Sequence, residues 1–201
     1  MDVGAGTQDI LLFEEGQPLE NDVQLVLPSQ TAILARRISK ATAAGRAVFL
    51  WGRVMGGGPC VEAIVDHLRA GLPVYVTPAA AKTVRDDLDQ VRAMGVQIVE
   101  EPPAGDVEAL ELKDVDVEAL SAALAEFEVD LPEDFAVAVQ DHGECREVSQ
   151  RRFRFQHWER FIQEGGHLEA LAYGPGEVPS YLTRLAAVQA LLPGALVMDT
   201  A

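Results

Sequence analysis

Apolar positions along the first hundred residues fall into short blocks whose period switches repeatedly between that of a strand and that of a helix. The run Ile10-Leu11-Leu12-Phe13 and the alternating stretch 23–27 predict two strands, joined by turn chemistry at Glu14-Glu15-Gly16-Gln17-Pro18. Ile33, Leu34 and Ile38 then share one face of a helix over 30–44, which Gly45 stops before a strand at 47–51. Gly56-Gly57-Gly58-Pro59 opens a helix reaching Ala70, a strand follows at 73–77, a helix at 79–94 and a strand at 96–99. Strands alternating with helices of this length require right-handed crossovers, so the chain is read as α/β, with a mixed, largely parallel sheet and helices packed on it.

Residues 100–116 interrupt the pattern. They are acidic and carry Pro102, Pro103 and Gly105, and read as a linker or exposed loop. This divides the chain into an N-terminal α/β part, 1–105, and a second part, 106–201. The second part predicts a helix at 117–127, a buried strand at 136–139, a polar loop at 140–150, a basic and aromatic stretch at 151–161, a helix at 181–192 and a strand at 195–198 that ends on Asp199.

Charge narrows the class of partner. Sixteen basic against thirty-two acidic residues leave a formal charge of −16, which repels nucleic-acid backbones and anionic membrane surfaces. With no signal peptide and no apolar run of about eighteen residues, neither secretion nor a membrane span is supported, and a reducing cytoplasm is the expected setting. Cys60 and Cys145 are the only cysteines, too few for an iron–sulfur cluster or a zinc ribbon held by this chain alone.

Three segments carry residue types suited to chemistry. In Asp2-Val3-Gly4-Ala5-Gly6-Thr7-Gln8-Asp9 an acid precedes a glycine-rich turn, which leads directly into a strand. Glycines permit close approach of backbone to phosphate, the turn amides with Thr7 and Gln8 can donate to its oxygens, and Asp2 can hold a hydrated Mg²⁺. Gly-x-Gly alone also suits an ordinary hairpin turn; Asp2, Thr7 and Asp9 in register favour the cradle. At the other end of the chain Asp199-Thr200 closes an apolar strand, where it can serve as a metal- and phosphate-facing strand end or as a simple cap. Between them, the buried strand at 136–139 delivers Gln140, Asp141 and His142 at its carboxyl end, where open α/β sheets bind ligands. There Asp141 can act as general base, Gln140 can position a water and His142 can shuttle a proton, or else the trio satisfies turn amides.

Gly56, Gly57 and Gly58 form a second candidate anion loop at a helix mouth, with close helix–strand packing as the plainer alternative. Arg151-Arg152-Phe153-Arg154-Phe155 is the only basic cluster. On so acidic a chain it reads as a strand with an arginine face, or as an internal partner for carboxylates, ahead of a nucleic-acid surface. His67 and His157 read as isolated core or surface residues.

Taken in order, residues 2–9, Met55-Gly56-Gly57-Gly58-Pro59, Ala80-Ala81-Lys82-Thr83 with Asp86-Asp87-Leu88, Val139-Gln140-Asp141-His142-Gly143, Arg152-Phe153-Arg154-Phe155 and Val197-Met198-Asp199-Thr200 resemble a poorly characterised family that carries the label of pyruvate formate-lyase activating enzymes. The resemblance extends over nearly the whole chain. That label implies a radical enzyme whose cluster needs Cys-x-x-x-Cys-x-x-Cys, a motif absent here, so the activity does not transfer with the name. The family in turn resembles the actin-like ATPase, hexokinase and sugar-kinase superfamily, with a ribonuclease H-like fold and two phosphate hairpins. This implies ATP and Mg²⁺ as cofactors, Gly4, Ala5, Gly6, Thr7, Gln8 and Thr200 around phosphate, Asp2 and Asp199 on the metal, and phosphoryl transfer or ATP hydrolysis as the reaction. It further implies a strand before Asp2 and a glycine after Thr200, so that the chain is expected to be clipped at both ends, inactive alone and prone to self-association through unpaired edges. Two other classes remain open: a non-catalytic nucleotide- or anion-binding regulatory module, and an ATP-independent enzyme acting on a small carboxylated metabolite.

Overall fold

The computed structural model describes residues 1–145 and 150–200. Their strands form two sheets. In the first, β1 (Asp2–Val3), β2 (Thr7–Leu12) and β3 (Val23–Pro28) make an antiparallel meander. β1 then pairs in parallel with β8 (Ala136–Val139), β8 in parallel with β10 (Leu196–Asp199), and the short β9 (Ala172–Tyr173) lies antiparallel at the far edge. The spatial order is β3-β2-β1-β8-β10-β9. The second sheet, β6-β5-β4-β7, is wholly parallel and is built from β4 (Ala47–Gly52), β5 (Val74–Val76), β6 (Gln97–Ile98) and β7 (Val107–Leu112). The α/β reading therefore stands, with the strands divided over a mixed and a parallel sheet.

Period-two burial builds the first core. Val3, Ile10, Val137, Val139 and Val197 are buried on one face, under α5 (Val117–Ala125) through Leu120 and Leu124 and under α7 (Thr183–Leu191) through Leu185 and Val188. Leu11, Val26 and Leu196, on the alternate positions, are exposed. The parallel sheet is sealed by α1 (Gln30–Ala43) and α2 (Gly58–Arg69), whose Leu34, Ile38, Cys60 and Ile64 pack on Val48, Leu50, Val74 and Val76. Burial pushes the Cys60 thiol up to about 12, which leaves it unreactive.

Three expectations change. Residues 79–94 do not form one helix: α3 (Pro78–Ala81) ends where Thr83 turns inward to accept the Met55 amide at 3.1 Å, and α4 (Leu88–Ala93) restarts on Asp87, which caps it. The acidic stretch 100–116 contains β7, a full partner of β4. Its Leu110 and Leu112 are buried, Arg46 pairs with Asp106 and Glu108, and Lys113 pairs with Glu111 and Asp116, so its charges are held at the rim. Arg151–Phe155 lies in a helix, α6 (Gln150–Gln163), rather than a strand; residues 146–149 of the polar loop fall outside the described residues.

His67 joins α2 to α1 through Thr42 Oγ1, 2.7 Å from its Nδ1, and is completely buried. Burial, partly offset by the Pro73 backbone, holds its pKa below the ordinary imidazole value. The unfolded chain therefore binds more protons near pH 6, so the stabilisation is complete above about 6.5 and is lost as pH falls through the lower, folded value. Urea midpoints measured from pH 7.5 to 5 should fall more steeply for the parent chain than for His67→Gln.

Candidate functional site

Between the two sheets opens a polar cleft of about 850 Å³, lined by residues 2–5, 54–58, 82–86 and 140–143 together with Arg184 and Thr200. The volume is of the size that holds a small-molecule ligand. Four of the segments singled out from the sequence thus meet at one place, although they are separated by up to about two hundred positions in the chain.

The hairpin turn is closed by Gly4, whose N–H donates to Thr7 O at 2.9 Å. Ser29, fully buried as the N-cap of α1, fixes the rest: its Oγ donates to Ala5 O at 2.9 Å and its N–H donates to Gly6 O at 3.1 Å. With the Ala5, Gly6 and Thr7 carbonyls tied down, the Ala5 amide is the turn donor that stands at the cleft among the described residues. Gly6, Thr7 and Gln8 stand behind the cleft wall. Thr7 Oγ1 donates to Asp9 at 3.3 Å, and Gln8 is buried, donating to Pro28 O at 3.0 Å.

The glycine loop before α2 is spent largely on packing. Gly56 N–H donates to Asp114 Oδ1 at 3.1 Å, Cys60 N–H to Thr31 Oγ1 at 3.1 Å, and Thr31 Oγ1 itself donates to Gly57 O at 2.7 Å. Pro59 has no amide hydrogen, so Gly57 and Gly58 hold the N–H groups that remain at this helix mouth. Close approach is required here: a Cβ on Gly57 would stand 3.0 Å from Thr83 O, and one on Gly58 would meet Ala5 Cβ at 3.5 Å, which shows that the hairpin turn and α2 abut.

Asp141 is buried with both oxygens engaged. Oδ1 accepts Gly143 N–H at 2.9 Å, and Oδ2 accepts the Arg184 and Leu185 amides at 2.8 and 3.0 Å. It thereby caps α7 from another strand. Burial raises its pKa, an effect that these amides oppose and nearby Asp199 reinforces. Asp199 is buried too, accepting Asp141 N–H at 2.9 Å. His142 Nδ1 accepts a hydrogen bond from Arg154 NH1 at 2.5 Å, and burial with that cation holds its pKa below the ordinary value. Gln140 is exposed at the cleft, and Thr200 lines it as well.

Asp2 and Asp199 are not brought together. The registers place Val3 and Asp199 level with Val139, and Asp2 level with Ala138, so the two carboxylates leave opposite faces of the sheet on strands about 10 Å apart. Asp2 lines the cleft; Asp199 does not. Among the described residues no group of three or more His, Cys, Asp or Glu is arranged to hold a metal ion, and no helix is long and apolar enough to cross a membrane.

Two residues at the centre of the site were invisible in the sequence. Arg184 grips Asp114 through Nε to Oδ2 and NH2 to Oδ1, both at 2.7 Å, and donates from NH1 to Gln140 O at 2.7 Å. Because Asp114 also holds Gly56, this pair ties the loop of the parallel sheet to the strand end of the mixed one. A second bridge, Lys82 to Glu144 at 2.6 Å, joins the same two parts.

A family model described as "Putative pyruvate format-lyase activating enzyme (DUF1786)" matches residues 55–201. The match takes in the glycine loop, residues 82–86, the Gln140 loop, Arg184 and β10, and leaves the opening hairpin outside it. No curated protein and no solved structure matches the chain.

Proposed function

The chain belongs to this family described as pyruvate formate-lyase activating enzymes, and from its cleft we propose that it binds a phosphate-bearing small molecule of the nucleotide class. One observation carries the reading: the glycine hairpin, the Lys82–Asp86 turn, the Gln140 loop and Thr200 line one polar cleft of about 850 Å³. The Ala5 amide beside Asp2 suits phosphate oxygens and a hydrated cation, and Arg85 and Arg184, with Lys82 in its bridge to Glu144, line the same cleft of an otherwise acidic chain.

The donor set at Asp2 fits Mg²⁺, which keeps most of its waters and is commonly held by one or two carboxylates plus the ligand's phosphates. Asp2 would hold it through water, with Thr200 across the cleft; Asp199, buried and bonded to the Asp141 amide, is not part of that set. Bound there, Mg²⁺ would neutralise and orient phosphate oxygens. The chain's own contribution to phosphoryl transfer or hydrolysis would be positioning and charge stabilisation. Gln140, exposed at the cleft, can place an acceptor or a water. Asp141 holds the walls rather than taking a proton, because its oxygens already accept three backbone N–H groups. This last point favours binding without turnover for the chain taken alone. The superfamily resemblance to actin, hexokinase and sugar kinases is supported by β1 and β10 flanking β8, with both motif ends reaching one cleft.

Calorimetric titration with ATP and ADP, with and without Mg²⁺, tests the reading. Mg²⁺-dependent binding is expected, and Asp2→Ala should weaken it about tenfold or more, as for the loss of a charged contact. Binding indifferent to Mg²⁺ and to Asp2→Ala would overturn the metal-and-phosphate cradle.

A further inference from the structure

At the mouth of α2 the Gly56 and Cys60 amides are taken by Asp114 and Thr31, which leaves the Gly57 and Gly58 N–H groups but no cation of the loop itself to meet a ligand's negative charge on that wall. Arg184 supplies one. A guanidinium has five N–H donors in a fixed plane. Three are used, two on Asp114 and one on Gln140 O, so one on NH1 and one on NH2 remain, and the side chain lines the cleft. Asp114 itself is 2 % exposed, does not line the cleft, and holds the guanidinium in a bidentate grip. Gly56 completes the seat: a Cβ there would stand 2.7 Å from Arg184 NH2, so only glycine lets the guanidinium lie flat against the loop.

We propose that Arg184, pre-oriented by Asp114 and seated on Gly56, is the anion-binding residue of this cleft, taking two oxygens of a phosphate or carboxylate. The inference rests on the cleft being a ligand site, and deepens that reading by naming the group that recognises charge. A planar, pre-organised fork loses little freedom on binding and matches the spacing of paired oxygens. Lys82, by contrast, is a point ammonium already bridged to Glu144 and has no planar fork to offer, and Arg85 spends NH1 on the Val84 carbonyl. Asp114 is a positioning residue: it acts on the ligand only through Arg184.

The experiment is calorimetric titration of the whole 201-residue chain with two probes, MgATP and citrate, alongside thermal melts. Arg184→Met leaves Asp114 buried without a counter-charge, so it is paired with Arg184→Met/Asp114→Asn, which removes both charges; Arg184→Lys keeps charge but not the fork. Binding of either probe should fall about 10- to 100-fold in both Met variants, and about tenfold in Arg184→Lys, as expected for hydrogen bonds to a charged group. Asp114→Asn alone should weaken binding although it does not touch the probe, and Gly56→Ala should do the same. Loss of citrate binding with no MgATP binding at all would keep the Arg184 assignment and overturn the nucleotide reading. MgATP binding undiminished in the folded double variant would overturn the assignment and keep the nucleotide reading. Neither probe binding the parent chain would overturn both.

Discussion

Replacing Asp141 with alanine is expected to lower the melting temperature by about 10 °C. Its carboxylate accepts N–H groups from Gly143, Arg184 and Leu185, and the N-cap residue of α7, Leu182, has no side chain able to do so. Alanine leaves those donors unpaired in a site only 5 % exposed. Unsatisfied buried groups cost about 1–3 kcal/mol each, and relief of a buried charge returns part, for a net loss of about 3–5 kcal/mol. In a domain of this length each kcal/mol moves the midpoint by about 2–4 °C. Asn, which keeps one acceptor oxygen, should lose about half as much. The gap between parent and Ala variant should narrow as pH rises, because burial raises the folded pKa: the group's contribution is full below the unfolded value near 4 and is lost as pH climbs through the folded one. A residue serving as a general base would give the opposite signature, an Asn variant with stability intact and turnover gone. Circular-dichroism melts of the two variants between pH 4 and 8 decide between these roles.

The alternation of strands and helices was legible because it is written in local periodicity. Residues 10–13, 23–27, 30–44, 47–51 and 136–139 each fold as their pattern dictates. What the pattern could not carry is pairing. β4 and β5 lie in one sheet and β8 in another because of which strand each one neighbours, and no period records that. β7 was hidden for a different reason: its glutamates and the nearby Pro102, Pro103 and Gly105 imitate a linker, while the compensating cations, Arg46 and Lys113, lie at or beyond its ends. With β7 read as loop, Asp114 could not be seen as an acid at the carboxyl end of a core strand, between buried Leu112 and Val115, which was the one signal available for it. Arg184 offered none, since an arginine in the first turn of a helix usually faces solvent. The cleft residues 2–5, 56–58 and 140–143 were legible as segments, but the metal pair Asp2 and Asp199 was not separable by sequence: a one-residue shift in register sends the two to opposite faces.

Gly52→Ala should be the most damaging of the small substitutions. Gly52 ends β4 at φ +106°, a region L-residues rarely enter, and pairs there with Leu112 of β7. A Cβ would lie 2.5 Å from Leu112 O and 3.0 Å from Leu112 N. These are backbone atoms of a buried strand, also held by the Arg53 amide at 2.9 Å, so no side chain can swing aside to make room. Backbone strain of about 1–3 kcal/mol and an overpacking cost of similar size add to about 3–5 kcal/mol. Gly71 supplies the comparison. It has φ +77° and nothing within 4 Å of the added carbon, so Gly71→Ala carries the strain without the clash and should cost about 1 kcal/mol. Urea unfolding of the two variants separates conformation from contact: a Gly52→Ala loss no larger than that of Gly71→Ala would mean that β4 and β7 do not approach this closely. The expected larger loss should come with weaker ligand binding, because Gly52 leads straight into residues 54–58 and Leu112 into Asp114, and spreading these two strand ends moves both the glycine seat and the carboxylate that orients Arg184.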